Sequence, residues 1–279
     1  MSKKIVIVGL GLIGGSMAKA LALNTDHLVL GMDQREESLL DALSCGVIAK
    51  KADAEDLAGA DMVYLCVYPE GALAFAREWG PRLKEGCILT DTCGIKGEIC
   101  AGMEELLQDP AHRYTFVAGH PMAGKEKSGF SASDSGLFAG ASYLIAPCGA
   151  PQAAVEEVAA LARSMGFGRI VYTTPEQHDR VIAYTSQVPH VLACAYVMSP
   201  RCREHQGFSA GSYRDVSRVA DINAPLWTRL FLDNREALTA ELEELIGHLE
   251  EFREAIEGEH EEQLRRLLET AGEIKRKEG

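Results

Sequence analysis

Short apolar runs alternate with helical stretches through the first part of the chain. Seven runs are rich in β-branched residues: Ile5 to Val8, Leu28 to Met32, Met62 to Val67, Ile88 to Thr90, Phe116 to Ala118, Tyr143 to Ala146 and Ile170 to Thr173. The helical patterns between them end at glycine or proline, as at Gly46, Gly80 and Gly166. This alternation predicts an α/β domain with a doubly wound parallel sheet over residues 1–174.

The pattern changes after Pro175. Strand-like runs stop, and apolar residues recur at helical spacing, as in Leu238, Leu242, Leu245, Ile246, Leu249 and Phe252. The segment from Glu259 to Lys277 repeats this spacing opposite a charged face. We therefore predict an all-helical second domain over residues 175–279. Its amphipathic helices either pack within one subunit or build a homodimer, and the pattern leaves both open.

The composition is that of a globular protein, with 47% hydrophobic and 25% charged residues. A formal charge of -13 disfavours binding to nucleic acid or to anionic lipid, since both would repel the protein. The N-terminal apolar run is too short for a signal peptide, and no run could span a membrane, so we expect a cytoplasmic protein. The eight cysteines lack the paired spacing of a zinc site or redox dithiol, which predicts reduced thiols and no metal.

A glycine-rich motif follows the first predicted strand and opens a helix. Gly9-Leu10-Gly11-Leu12-Ile13-Gly14 matches G-x-G-x-x-G in the context that makes this motif specific. Gly9 permits a tight turn, Gly11 lets the backbone approach a pyrophosphate, and Gly14 lets the helix pack closely on the strand. The amides at Leu12 and Ile13 begin the helix, where phosphate is favoured. The motif predicts a Rossmann-type dinucleotide-binding domain.

Asp33 ends the second predicted strand, 19 residues after Gly14. An acidic residue here can accept hydrogen bonds from the adenosine ribose, which favours NAD over NADP. Arg35 weakens this preference, because a nearby arginine can hold a 2′-phosphate. Three further residues follow strands at the same edge of the sheet and are expected to border the cofactor: Val67, Tyr68 and Thr92.

His120 follows the run Tyr114 to Gly119, so we expect it at the carboxyl edge of a strand, on the side of the glycine loop. Pro121 restricts His120 to extended backbone conformations, and Gly124 leaves room for a substrate. An isolated histidine would more simply satisfy a loop hydrogen bond. The position of His120 beside the predicted nicotinamide favours a general base instead.

The segment Gly119-His120-Pro121-Met122-Ala123-Gly124, followed by Glu126, resembles the active-site loop of the prephenate and arogenate dehydrogenases. Further segments resemble the same family in the same order: His178-Asp179, Ser186-Gln187-Val188-Pro189-His190, Tyr213-Arg214-Asp215-Val216-Ser217-Arg218, and Pro225-Leu226-Trp227 ahead of Phe231-Leu232-Asp233-Asn234. With the glycine loop, these motifs extend from Gly9 to Asn234, and the chain is identified by them as a member of that family.

The resemblance implies the substrate prephenate, a cyclohexadiene with a ring carboxylate and a C4 hydroxyl, or its amino analogue arogenate. It implies that His120 takes the hydroxyl proton while hydride leaves C4 for NAD and the carboxylate leaves as carbon dioxide. The product is 4-hydroxyphenylpyruvate or, from arogenate, tyrosine. The chain length suits a stand-alone enzyme without a fused mutase or regulatory domain, and competitive inhibition by tyrosine is a further hypothesis.

A dianionic substrate needs fixed cations in an acidic protein. Arg214 and Arg218 lie one helical turn apart, so we expect Arg218 to bind a substrate carboxylate and Arg214 to assist. A solvated helix face is the alternative. His190 is a candidate for the side-chain end of the substrate, with a satisfied core histidine as its alternative. Trp227 is included in the substrate site, although tryptophan on a helix is usually core.

Two positions depart from the family pattern. Gly94 stands where many relatives carry a serine that meets the substrate hydroxyl beside the catalytic histidine. That contact is therefore absent, or replaced by Thr92, Cys93, a backbone amide or water. Gln187 stands where some relatives have another histidine. Both positions belong to the predicted substrate site, and both leave the choice between prephenate and arogenate open.

Two other functions compete with this interpretation. A β-hydroxyacid dehydrogenase shares the glycine loop and the two-domain plan, but the segment from His120 to Gly124 and the paired arginines argue against it. A non-catalytic NAD-binding sensor would use the helical half to contact a partner protein and would not require His120.

Overall fold

The computed structural model describes residues 2–125 and 127–278. Met1, Glu126 and Gly279 lie outside the described residues. Glu126 is the residue named above together with the loop motif Gly119 to Gly124. The chain divides into two compact units, which we call the sheet unit (Met1–Ile182 with Asp221–Asp233) and the helical unit (Ala183–Ala220 with Asn234–Gly279). The domain limit between residues 174 and 175 stays a prediction.

The sheet unit is built on seven strands in the order β2-β1-β3-β4-β5-β6-β7. The strands are β1 (Lys4–Val8), β2 (Leu28–Met32), β3 (Met62–Leu65), β4 (Ile88–Asp91), β5 (Thr115–Pro121), β6 (Ser142–Ala146) and β7 (Arg169–Tyr172). Its helices are α1 (Leu12–Asn24), α2 (Glu36–Ser44), α3 (Ala54–Ala58), α4 (Pro69–Trp79), α5 (Gly97–Leu107), α6 (Gln152–Ser164), α7 (Pro175–Ile182) and, after a stretch of the helical unit, α10 (Ala224–Asp233). Strands β1 to β5 are parallel, so the predicted Rossmann-type α/β fold is confirmed.

The last two strands run against the first five, which corrects the prediction of a wholly parallel sheet. β6 pairs antiparallel with β5, and β7 pairs parallel with β6. A parallel neighbour would need a crossover connection, usually a helix. Among its described residues, the connection from β5 to β6 contains only a short 3₁₀ turn at Phe130–Ala132. β6 therefore returns beside β5 in the opposite direction.

Both faces of the sheet are buried. In β1, Ile5 and Ile7 join one apolar cluster, which α1 and α6 cover, while Val6 joins a second cluster, which α4 and α5 cover. Successive residues of a strand point to opposite faces, so an unbroken apolar run such as Ile5 to Val8 suits a strand covered on both sides. Because β1, β3, β4 and β5 are parallel, their carboxyl ends lie at one edge of the sheet.

The helical unit contains α8 (Val188–Val197), α9 (Gly211–Ser217), α11 (Arg235–Glu257) and α12 (Glu261–Glu278), with a π-helical turn at Ala183–Gln187. α11 packs on that turn and on α8, and α12 packs on α11. From residue 173 to residue 278 the structure contains no strand, which confirms the predicted all-helical half. No helix within the described ranges is long and apolar enough to cross a membrane.

Candidate active site

Three glycines of the loop after β1 have the geometry that a dinucleotide requires. Gly9 has a φ of +92°, and a Cβ there would lie 2.4 Å from the carbonyl oxygen of Cys66. A Cβ on Gly14 would lie 1.9 Å from the carbonyl oxygen of Gly9, so no side chain fits between loop and helix. A Cβ on Gly11 would meet no atom within 4 Å. The backbone at Gly11 is therefore open to a ligand.

The N-terminus of α1 faces this open side of the loop. Gly11 is the residue before the helix, and no described side chain caps its end or places a carboxylate in the first turn. The first amides of a helix have no acceptor within the helix and carry its positive dipole end. The amides from Leu12 onward can therefore bind a pyrophosphate.

The carboxylate of Asp33 is fixed next to the glycine loop. One oxygen accepts a hydrogen bond from the Leu10 amide at 2.6 Å, and the other accepts from the Arg35 amide at 2.7 Å. Each oxygen keeps a lone pair that can accept from a ribose hydroxyl. The Arg35 guanidinium lies 3.9 Å from the same carboxylate and its side chain is 60% exposed. The negative charge of Asp33 disfavours the 2′-phosphate that NADP would place on this ribose.

The three other predicted cofactor residues follow β3 and β4 at the same edge. The Val67 side chain lies 2.8 Å from the Cβ position that Gly9 lacks, so Val67 borders the loop. The Thr92 amide donates to the Leu65 carbonyl at 3.1 Å, which holds the end of β4 against β3. Tyr68 precedes α4 and is 55% exposed. Of the three, Val67 is the residue shown in contact with the glycine loop, and the cofactor roles of Tyr68 and Thr92 stay predictions.

His120 lies within β5, because this strand continues to Pro121. The sequence pattern predicts a strand that ends earlier, at Ala118. Its Nδ1 atom is 2.8 Å from Nε2 of His178. Nδ1 of His178 in turn lies 2.7 Å from a carboxylate oxygen of Asp179. His178 and Asp179 come from α7, which packs on α5. The structure therefore joins His120, His178 and Asp179 in one chain of hydrogen bonds.

This chain determines which nitrogen of His120 is free. The carboxylate of Asp179 can only accept, so His178 carries its proton on Nδ1 and, when neutral, offers Nε2 as an acceptor. His120 must then donate from Nδ1 to His178. The lone pair of the neutral His120 ring consequently resides on Nε2, the atom that is free to accept a proton.

Burial lowers the pKa of His120 well below 6.5, and the nearby His178 and Lys96 lower it further. A protonated imidazole would lose its hydration in this position and would be repelled by the Lys96 ammonium. His120 is therefore neutral near pH 7. A general base must be neutral before the reaction begins, and His120 meets that condition.

A buried ion pair fixes the backbone that carries His120. Lys96 forms a salt bridge with Asp91, and both side chains are almost completely buried. The Lys96 ammonium also donates to the Gly119 carbonyl at 2.8 Å, and Asp91 accepts from the Gly119 amide at 3.1 Å. Burial alone would lower the pKa of Lys96, but the charge of Asp91 raises it above its usual value. The pair therefore holds both polar backbone groups of the residue before His120.

The same loop holds the far end of the hydrogen-bond chain. The amides of Lys96 and Gly97 each donate to one carboxylate oxygen of Asp179 at 2.7 Å. Asp179 is thus fixed by two backbone donors while it accepts from His178. The residues from Asp91 to Gly97 accordingly position His120 from two directions, through its backbone and through its ring partner.

Gly94 and Trp227 are the remaining predicted substrate residues that belong to the sheet unit. A Cβ on Gly94 would lie 3.3 Å from the Leu230 side chain of α10. Trp227 is half-buried on the same helix, and its ring centroid lies 5.4 Å from that of Phe231. A serine at position 94 would therefore require Leu230 to move by a few tenths of an ångström.

The other four predicted substrate residues belong to the helical unit. Arg214 is in α9, and the Arg218 amide donates to the Arg214 carbonyl at the end of that helix; both side chains are exposed. Nδ1 of His190 lies 2.7 Å from the Ser186 carbonyl. Gln187 is buried, and its side-chain oxygen accepts a hydrogen bond from the side-chain Nδ2 of Asn234 at 2.7 Å. Their substrate roles stay predictions.

Comparison with known proteins decides the family. Residues 17–172 match the family model described as prephenate dehydrogenase, nucleotide-binding domain, and residues 174–270 match the model described as prephenate dehydrogenase, dimerization domain. The chain belongs to the prephenate dehydrogenase family. This confirms the family that the motifs indicated.

Individual members of the prephenate dehydrogenase family cover nearly the whole chain. The prephenate dehydrogenase of Bacillus subtilis is 31% identical over 97% of this chain and 75% of its own length. The cyclohexadienyl dehydrogenase of Zymomonas mobilis is 32% identical over 91% of this chain and 88% of its own length. The crystal structure of the Aquifex aeolicus prephenate dehydrogenase in complex with hydroxyphenyl propionate and NAD+ is 28% identical, with a TM-score of 0.87 and coverage of 100% and 98%.

Four residues around His120 were not among the predicted site residues of this prephenate dehydrogenase family member: Asp91, Lys96, His178 and Asp179. The His178-Asp179 dipeptide was noted only as a family motif. A histidine next to an aspartate can orient another histidine, and that was the available signal. The Lys96 charge lay in a loop between a strand and a helix, where an exposed lysine is the ordinary interpretation. Within the described residues, no group of three or more His, Cys, Asp or Glu could hold a metal ion.

Proposed function

We propose that this chain is an NAD-dependent prephenate dehydrogenase, which converts prephenate to 4-hydroxyphenylpyruvate with loss of carbon dioxide in tyrosine biosynthesis. The observation that carries the proposal is the state of His120. Its imidazole is neutral, and its Nε2 is free to accept a proton. His120 lies near the carboxyl end of β5, at the edge of the sheet that bears the glycine loop. The relatives named prephenate dehydrogenase support the substrate. Arogenate is the alternative, and the relative named cyclohexadienyl dehydrogenase keeps it open.

The residues at the glycine loop fit NAD. The space at Gly11 suits a pyrophosphate, and the Asp33 carboxylate suits a ribose with free hydroxyls better than one with a phosphate. Gly9, Gly14, Leu12, Ile13 and Asp33 would hold the cofactor, with Arg35, Val67, Tyr68 and Thr92 at its border. When bound, NAD supplies the hydride acceptor.

His120 removes the proton that makes hydride loss possible. Its Nε2 accepts the C4 hydroxyl proton of prephenate while its Nδ1 stays bonded to His178. The ring becomes positively charged at that moment. Asp179, one hydrogen bond further along, stabilises the charge through His178. The bond to His178 also orients the ring, so this chain can position its base without the loop serine that Gly94 replaces.

The lowered pKa of His120 predicts a flat pH profile near neutrality. Only the neutral ring is active, so kcat/KM rises with pH through the pKa of His120 and is constant above it. Because that pKa lies well below 6.5, we expect kcat/KM for prephenate to be constant from pH 6.5 upward and to fall only at lower pH. A pH profile of NADH formation at low prephenate concentration measures this. An acidic limb centred above pH 6.5 would contradict the neutral assignment.

Arg218→Gln is expected to raise the KM for prephenate by about 10- to 100-fold, since a charge-assisted hydrogen bond contributes roughly 1.5–3 kcal/mol. The affinity for NAD should not change. Steady-state kinetics with each substrate varied in turn measure both effects. Arg201→Gln is the matched control, because Arg201 is an 82% exposed arginine of the same unit, paired with Glu204. A loss of NAD affinity with normal prephenate KM would mean that the arginine belongs to another pocket.

The activity itself is tested by mixing the purified chain with NAD and either prephenate or arogenate and following NADH absorbance. We expect NADH from prephenate, with the higher kcat/KM on that substrate. A higher value on arogenate would select the alternative. No NADH from either substrate, with NAD binding intact, would favour the non-catalytic sensor.

We also propose that the chain acts in the cytoplasm as a homodimer, with residues 1–174 binding the cofactor and residues 175–279 binding substrate and forming the dimer. The family model for the second part is described as a dimerization domain. Five apolar side chains on α11 and α12 are more than half exposed in the single chain: Ile246, Leu249, Ile256, Leu268 and Ile274. Exposed apolar side chains of this kind suit a surface that a second subunit covers. Light scattering of the purified chain measures the subunit number, and a monomeric mass would contradict the dimer.

A further inference from the structure

Two cysteine thiols meet in the sheet unit beside the site described above. The sulfur atoms of Cys100 and Cys148 are 3.0 Å apart, although 48 residues separate them along the chain. Cys100 is buried in α5, and Cys148 is exposed in the turn that follows β6. The sequence spacing gave no sign of a dithiol, because folding of β5 and β6 brings the two segments together.

The backbone at Cys148 is held in an unusual conformation. Cys148 has a φ of +49°, and Gly149, which follows it, has a φ of +76°. The Ala150 amide donates to the Pro147 carbonyl at 2.9 Å and closes the turn. A left-handed conformation favours glycine or asparagine, so a cysteine is not selected here by the turn itself. The turn instead places the Cys148 thiol against Cys100.

We propose that Cys100 and Cys148 form a redox-modification site, in which a peroxide converts the two thiols into a disulfide. The Cys148 thiolate attacks one oxygen of hydrogen peroxide, the O–O bond breaks, and the other oxygen leaves as water after taking a proton. The sulfenic acid on Cys148 is then attacked by the Cys100 sulfur, which forms the S–S bond and releases the second water. Two thiols are oxidised by two electrons, and both peroxide oxygens are reduced to water.

The surroundings of the two sulfurs give them different parts in this sequence. The contact with Cys100 lowers the pKa of Cys148, because the Cys100 thiol can donate to the Cys148 thiolate. The same contact, together with burial, raises the pKa of Cys100. Burial raises the pKa of Cys66 and Cys87 to about 12, so these thiols are unreactive. Cys148 is therefore the attacking sulfur and Cys100 the one that closes the disulfide.

The disulfide would act on the residues that position His120. Cys100 lies one helical turn after Lys96, and its amide donates to the Lys96 carbonyl at 2.9 Å. An S–S bond is about 2.05 Å long, so the sulfurs must approach by about 1 Å, and we expect part of this movement to reach the first turn of α5. That turn holds Asp179 through the amides of Lys96 and Gly97. We expect oxidation to lower kcat by about tenfold, since a 1 Å displacement of positioning groups can cost up to about 10²-fold.

The test uses the full chain, reduced and then treated with hydrogen peroxide. Free thiols are blocked by alkylation, and intact mass and peptide mapping identify the linked cysteines. We expect one disulfide, joining Cys100 to Cys148, in the wild type and in Cys45→Ser, which removes another exposed thiol. Cys148→Ser should form no disulfide and should keep its reduced kcat after treatment. A thiol reductant should restore the kcat of the oxidised wild type.

The mass measurement tests the disulfide, and the kinetic measurement tests its effect on His120. If Cys100 and Cys148 are both still alkylated after oxidation, or if a different pair is linked, the proposed redox-modification site is wrong. A Cys100–Cys148 disulfide with unchanged kcat would overturn its link to His120. The kinetic prediction rests on the proposed dehydrogenase activity, but the mass measurement does not. A chain without this activity would contradict the kinetic prediction, and the disulfide would still be tested by mass.

Discussion

His120→Asn is expected to lower kcat for prephenate by about 10³-fold, because a positioned general base contributes roughly 10²- to 10⁴-fold. Asparagine is similar in size and can still donate a hydrogen bond toward His178, but its amide cannot take up the hydroxyl proton. The fold and the NAD site should therefore persist. Steady-state NADH formation measures kcat, and a fluorescence titration measures NAD affinity.

The control for this variant is His248→Asn. His248 is an exposed histidine of α11, with a side chain that is 60% exposed, so its loss should change kcat by less than about twofold. Equal kcat values for wild type and His120→Asn would exclude His120 as the general base. Another group would then have to take up the hydroxyl proton. A fall in NAD affinity of the same size as the fall in kcat would show that His120 supports the cofactor site instead.

The position of His120 was accessible from the sequence, but its protonation state was not. A histidine after an apolar run and before Pro121 predicts a strand end at the ligand edge of the sheet. Its partner His178 lies 58 residues further along the chain and arrives through the packing of α7 on α5. Only that contact assigns the Nδ1 proton and leaves Nε2 as the base.

The order of the strands shows a similar limit. The apolar run Tyr143 to Ala146 predicts a buried strand, and the strand is present as β6. Alternation of side chains is the same in either chain direction, so it cannot reveal that β6 runs antiparallel to β5. The described residues of the connection before it contain no α-helix, and that was the informative signal. At Gly94, conversely, the resemblance to the family already indicated that the serine hydroxyl is absent, and the structure adds that Leu230 borders this position.

Lys96→Met is expected to lower the free energy of unfolding by about 3–5 kcal/mol, because it leaves Asp91 as a buried charge without its partner. The backbone amides of Cys93 and Gly119 still donate to Asp91, but they cannot neutralise it. Methionine has a similar length and volume, so the loss of packing is small. Trp79 and Trp227 are the two tryptophans of the chain, and both belong to the sheet unit, so fluorescence during urea titration reports its unfolding.

The matched control is Lys84→Met, which removes the same charge from an exposed pair. Lys84 and Asp61 form a salt bridge with side chains that are 40% and 34% exposed, and a surface pair contributes less than about 1 kcal/mol. The double variant Lys96→Met with Asp91→Asn should recover part of the lost stability, because it removes the unpaired charge. If both lysine variants lost the same small amount, burial would not be the source of the effect. If the double variant were less stable than Lys96→Met, the carboxylate hydrogen bonds to Gly119 and Cys93 would outweigh the cost of its charge.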